Sequence, residues 1–256
     1  MYLKTFFVSS CMYFYISSAI AETISFHPPA FDFETILEPQ SLFMLDSKAL
    51  YETDQRKLIS DNELKWVYGD ALQQFELKSN WIKQETEHPE WTTHFLYHHL
   101  IAPQTDVQIG LRHRRYEVFS ELTQNIQREK RTDLIVGTQT LLPYEINSEL
   151  YFYVGNHGYF NLVPKIDNDF ILTEKIILNS ELAAEILLRD QTQFAGKTGL
   201  HAYAANFELR YENDSLLTPY LTFGYFYNKG NQLTISQNES ELVTGWNYGL
   251  GIKIQF

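Results

Sequence analysis

The chain has 256 residues, with 20 Lys and Arg against 32 Asp and Glu, a formal charge of −12, and 15% aromatic residues. That length fits one domain or two small ones. The acidic balance excludes the broad basic patch that a nucleic-acid partner requires, and the single Cys excludes a disulfide framework.

The chain opens with MYLKTFFVSSCMYFYISSAIAETISF. Lys4 supplies a positive start, Phe6 to Ile16 a mostly apolar core, and Ala19-Ile20-Ala21 a small-x-small cleavage site. These features predict a secretory signal peptide over 1–21, cleaved after Ala21. The apolar run is shorter than the roughly 20 residues of a spanning helix. Cys11 lies inside the leader, so the exported chain is expected to offer no thiolate ligand. Residues 22–62 carry Pro28, Pro29 and Pro39 and read as a short irregular periplasmic segment. Only SLFMLDSKALY (41–51) within it is expected to pack on something.

Residues 63–256 read as the barrel, and from Trp66 onward the pattern changes to alternation with period two, the signature of strands with one polar and one apolar face. Ten runs follow in order: 72–84, 90–101, 106–116, 131–142, 145–155, 158–172, 176–190, 200–212, 217–228 and 245–256. The first sets Phe75, Leu77 and Trp81 against Gln74, Glu76, Lys78 and Asn80. The last sets Trp246, Tyr248, Leu250, Ile252, Ile254 and Phe256 against Gly245, Asn247, Gly249, Gly251, Lys253 and Gln255. Pro164 interrupts the sixth run and predicts a bulge. Tight turns such as APQ and TEK alternate with longer connections, including the stretches after 116, 190 and 228.

Strands near 9–11 residues, joined in this way, predict an all-β fold. It is a closed antiparallel up-and-down transmembrane β-barrel of about ten strands in the outer membrane. The apolar set would face lipid. The polar set would fill the lumen, pairing Lys78, Arg112, Arg210 and Lys253 with Glu149, Asp167, Glu181, Glu185 and Glu208. A soluble barrel inverts this arrangement. The leader and the mid-strand charges favour the membrane form, as do aromatics near strand ends (Trp81, Trp91, Tyr144, Tyr220, Tyr225, Tyr227). Asn168 and His99 fall on faces assigned to lipid, which implies a local slip of register or a place at the interface.

The densest candidate for chemistry is HFLYHH, with His94, His98 and His99. In a strand His94 and His98 share a face about 13 Å apart, so they cannot grip one ion between them. Each would need partners from neighbouring strands, such as Glu76 or Asp106. Imidazole suits Cu(II) and other divalent metals. The same side chains would also serve as solvated lumen residues, and His88 and His157 fall at loop tips. No G-x-S-x-G, H-E-x-x-H or phosphate loop occurs, so no enzyme is expected. Ser120 or Ser180 beside a His is the weak basis for a lipid-modifying rim enzyme.

Several phrases resemble the copper resistance protein B family. They are Trp66-Val67-Tyr68-Gly69-Asp70 followed by Leu72 and Leu77-Lys78; Leu96-Tyr97 with Ile101-Ala102-Pro103; and Gly110-Leu111-Arg112-His113. GTQTLLPY (137–144), ILTEKIIL (171–178), LRYE (209–212) and TPYLTFGY (218–225) follow in family order, and FMLDSKALY (43–51) resembles the segment ahead of the family's barrel. The resemblance spans about 43–256. It implies a role in copper resistance and homeostasis, by binding copper or assisting its export from the periplasm. Copper is then the implied ligand, with His94, His98, Met44, Asp46 and Glu76 as candidate metal residues. It also implies a periplasmic copper-binding protein or oxidase as partner, beside outer-membrane lipid. The terminal Phe256 resembles the C-terminal signature that the barrel-insertion machinery recognises. A structural or adhesion-type barrel without a metal role stays open beside this reading.

Overall fold

The computed structural model describes residues 39–53, 56–84, 90–120, 125–155, 159–190, 198–212, 215–228 and 243–256. The twelve strands are β1 (Gln40–Glu52), β2 (Lys57–Gly69), β3 (Gln73–Gln84), β4 (Glu90–Ala102), β5 (Thr105–Ser120) and β6 (Asn125–Leu142). They continue with β7 (Ile146–Gly155), β8 (Phe160–Thr173), β9 (Ile176–Leu187), β10 (Gly199–Tyr211), β11 (Leu217–Asn228) and β12 (Val243–Gln255). Each pairs antiparallel with its sequence neighbours, and β1 pairs with β12 to close the barrel. Closure leaves no free edge, which a sheet in hydrocarbon requires.

The expected fold holds, with one correction of count. About ten strands were expected, and the two extra ones are β1 and β2, most of which lies in the stretch read as irregular. The barrel therefore starts at Gln40 rather than 63. The contrast between faces is blurred in these strands. Ser41, Ser47, Ser60 and Asn62 sit on the outer face, while Leu42 and Met44 line the lumen. Ser47 Oγ donates to Asn62 Oδ1 at 2.7 Å, so the outward polar groups satisfy one another. The signal peptide, its cleavage site and residues 22–38 lie outside the described residues.

Two smaller expectations also change. Pro164 makes no bulge: Leu162↔Ile186 and Lys165↔Ala183 keep one register on either side, and the ladder to β9 simply skips the proline, which has no N–H to give. The stretch after 116, read as a connection, carries β5 to Ser120 and restarts as β6 at Asn125. His99 and Asn168 do face outward, without a slip of register. His99 lies near the turn end of β4 against Tyr97, and Asn168 is opposite Ser180.

The faces are those of a membrane barrel. Leu77, Phe95, Ile109, Leu111, Leu221 and Leu250 point outward and exposed, while Gln108, Asp133 and Asn161 are completely buried inside. A water-soluble core does the reverse. The ends differ as well. At the end where β1 begins and β12 finishes, the connections are short, such as Pro143–Glu145. Long connections gather at the other end, as between β11 and β12. Short turns mark the periplasmic side and long loops the extracellular side.

Candidate functional site

Period two fixes what enters the lumen. Even residues of β1, β3, β4, β5 and β11 point inward, as do odd residues of β2, β6, β7, β8, β9 and β12. In the loop-end half these side chains interlock. Asp133, on β6, takes Arg112 Nη2 at 2.7 Å and Arg131 Nε at 3.0 Å. The Arg112 guanidinium lies over the Tyr153 ring at 3.7 Å and that of Arg131 over Tyr159 at 3.5 Å. Tyr159 Oη donates to Glu185 Oε1 at 2.6 Å, and the Asn161 amide reaches both groups. Ile135 and Leu187, at 1% and 2% exposure, pack with Tyr153 and Tyr159 in one buried apolar group. Burying two cations around one carboxylate is tolerable only because each guanidinium is also stacked on a ring.

The turn-end half is roomier. A cavity of about 320 Å³ is lined by residues of β1 to β4 and β6 to β8, reaching Gln40 and Gly69 beside the turns. It brings together four of the five candidate metal residues: Met44, Glu76, His94 and His98. The fifth, Asp46, belongs elsewhere. Its Oδ1 accepts from Tyr220 Oη at 2.5 Å, and Lys253 stands 3.9 Å from its other oxygen. Tyr220, read as an interfacial aromatic, is the correction behind this: as an even residue of β11 it turns inward and is buried.

His98 is the best ordered of these candidates. It is 8% exposed. Its Nδ1 lies 3.1 Å from Asp106 Oδ2, while Glu76 Oε2 stands 3.9 Å from Nε2. Nε2 has no hydrogen-bond partner, and neither has His94 Nε2, four residues up the same strand. Asp106 is held in turn by Gln139 N at 3.1 Å and by Gln108 Nε2 at 3.3 Å. A carboxylate on one ring nitrogen fixes the tautomer and turns the other nitrogen's lone pair toward the cavity, the arrangement found behind metal-bound histidines. Lys65 occupies Glu76 at 2.8 Å, a cation already on the carboxylate. Among the described residues no three His, Cys, Asp or Glu side chains form a group able to hold an ion by themselves.

Asp106 is the partner that the sequence suggests for these histidines, and the structure adds Lys65, Gln108 and Gln139. The signal for Lys65 is its inward parity on β2, a strand whose alternation is diluted. The remaining candidates stay apart: His113 faces outward, with Nδ1 3.0 Å from Thr132 Oγ1, and Ser180 lies opposite Asn168 on the outer face. His88, His157 and the Ser120 side chain lie outside the described residues.

Residues 41–256 match the family described as Copper resistance protein B precursor. A relative named Copper resistance protein B, from Escherichia coli, is 23% identical over 214 residues, covering 77% of this chain and 69% of that one. Among solved structures, the NanC porin superposes with a TM-score of 0.53 at 14% identity, covering 82% of this chain and 98% of that one. The KdgM porin in complex with disordered oligogalacturonate gives a TM-score of 0.50 at 10% identity, over 84% and 99% of the two chains. At such identities these porins speak for the barrel alone.

Proposed function

The chain belongs to the copper resistance protein B family, and from its role in copper resistance as an outer-membrane barrel we propose that it binds copper inside its lumen. Copper is cargo in this reading. It reaches the cavity from the periplasmic end and is taken up at His98 Nε2, with the Glu76 carboxylate alongside. His94 Nε2 is a second station about 13 Å further along the strand. Met44, a thioether on the same cavity wall, suits the softer Cu(I), and the imidazoles accept either oxidation state.

The observation that carries the reading is the buried, partnerless His98 Nε2, held toward the cavity by Asp106 on the opposite side of its ring. Burying an imidazole nitrogen without a partner costs free energy unless something binds it. The test compares a deletion strain carrying wild type, His98→Ala or His94→Ala. Copper tolerance and copper content of the purified barrel should both fall for His98→Ala, and less for His94→Ala. Wild-type copper content in both variants sinks the lumen site.

A further inference from the structure

Among the described side chains the outer face carries almost no charge, and the exceptions gather in one place. Among the described side chains, every Lys, Arg, Asp or Glu that points outward from a strand is a cation: Lys83, Arg115 and Lys130, all exposed and all at the loop end of β3, β5 and β6. The chain as a whole is strongly acidic. Its described strand carboxylates point into the lumen.

The register makes this a built row. Trp81 pairs with Trp91, Trp91 with Arg115 and Arg115 with Lys130, across four neighbouring strands. The two indoles stack with centroids 5.8 Å apart. Such cross-strand neighbours lie about 5 Å apart at Cβ, and like charges set directly opposite repel. None of the described carboxylates pairs with either cation. One step deeper into the membrane runs a polar row, Ser79, Thr93, His113 and Thr132, with hydrogen bonds of 3.3 Å and 3.0 Å within it. Below that, Leu77, Phe95, Leu111 and Leu134 are apolar. Going down the wall the order is cation and indole, then hydroxyl and imidazole, then hydrocarbon. That is the order of phosphate, ester or amide linkage, and acyl chain in a lipid.

We propose that Arg115 and Lys130, flanked by Lys83 and the Trp81–Trp91 pair, seat the phosphate of a phosphorylated glycolipid of the outer leaflet. Guanidinium binds phosphate by paired hydrogen bonds and the ammonium adds a point charge. The indoles sit at headgroup depth, where amphipathic rings are favoured. The phosphate supplies the counter-charge that none of the described carboxylates gives. This seat is independent of copper and rests on the outer-membrane placement alone.

The full-length protein, purified in detergent, is mixed with bisphosphorylated lipid A, dephosphorylated lipid A or inorganic phosphate, and retained ligand is read by native mass spectrometry. Wild type should hold bisphosphorylated lipid A, and Arg115→Gln/Lys130→Gln should bind it about thirtyfold more weakly. Dephosphorylated lipid A should bind both proteins equally and weakly. Gel mobility with and without boiling confirms that the variant is a folded barrel. Equal retention by wild type and variant overturns the proposal. So does full retention of the dephosphorylated lipid, which would mean contact through acyl chains only. Inorganic phosphate binding as tightly as the lipid would reveal a free-anion site and overturn it as well.

Discussion

His98 owes its readiness to one carboxylate. With Nδ1 committed to Asp106, the ring cannot rotate its free nitrogen out of the cavity. Asp106→Asn preserves the shape and still accepts the Gln139 N–H, but it removes the charge that makes the imidazole a better donor to metal. Copper affinity should fall roughly 10- to 100-fold, measured by competition with a chromophoric chelator. An unchanged affinity would mean that His98 is not the ligand. Lys65 acts in the other direction. Its ammonium, 2.8 Å from Glu76 Oε2, competes with any cation arriving there. Lys65→Met should therefore tighten copper binding in the same assay, whereas a Glu76 with no part in the site would leave it unaltered. His94 has no such carboxylate behind it, and Lys78 is its cross-strand neighbour, so it should be the weaker of the two stations.

At the scale of strands, the closing seam between β11, β12 and β1 depends on an absent side chain. Tyr220 lies across Gly251, and a Cβ there would stand 2.1 Å from the ring. Gly137 makes the same room for Tyr151, with a ring carbon 2.4 Å from where its Cβ would be. Gly251→Val should push Tyr220 off Asp46 and lower the temperature at which the barrel loses its compact gel mobility. Tyr220→Ala added to it should recover part of that loss, because the pair is in contact and its effects cannot add. If the double variant is no better than Gly251→Val alone, the clash lies with the backbone instead. The inward glycines of β12 were visible in the sequence as the small partners of an unbroken alternation, but their reason was not. Which ring fills the gap depends on the register of β11 against β12, and no single strand records that. The same holds for β1 and β2. Their alternation is diluted by Ser41, Ser47, Ser60 and Asn62 outside and Leu42 and Met44 inside, so periodicity alone could not recover them. The ten clean strands were legible because each has a lipid face that tolerates little else. His94, His98 and Glu76 were legible as inward residues by parity. Their meeting with Met44 in one cavity, and the diversion of Asp46 to Tyr220, depend on how strands far apart in the ring face each other across the lumen.

The whole barrel is asymmetric along its axis. A cavity occupies the periplasmic half, and a packed ion cluster sits in the extracellular half around Asp133. Further ion pairs line the lumen: Lys48 with Asp61 at 2.9 Å, Lys78 with Glu63 at 2.8 Å, and Lys165 with Glu181 at 2.9 Å. Of these, Lys78 and Lys165 line the cavity, whereas the Arg112–Asp133–Arg131 cluster stacks on Tyr153 and Tyr159. A barrel of this form should conduct poorly despite its likeness to porins, since the buried Arg112–Asp133–Arg131 cluster and its rings pack the loop-end half of the lumen. In a planar bilayer, wild type should show at most small conductance steps. Asp133→Ala leaves two buried guanidiniums facing each other, a loss of about 3–5 kcal/mol of pairing. Their repulsion should drive them toward solvent and open the lumen, with larger and flickering steps. Arg112→Ala keeps Asp133 paired to Arg131 and should open it less. Equal, low conductance in all three proteins would show that the constriction lies elsewhere along the axis. Wild-type steps of porin size would show that the cluster does not close the lumen, and copper could then cross without ever meeting His98.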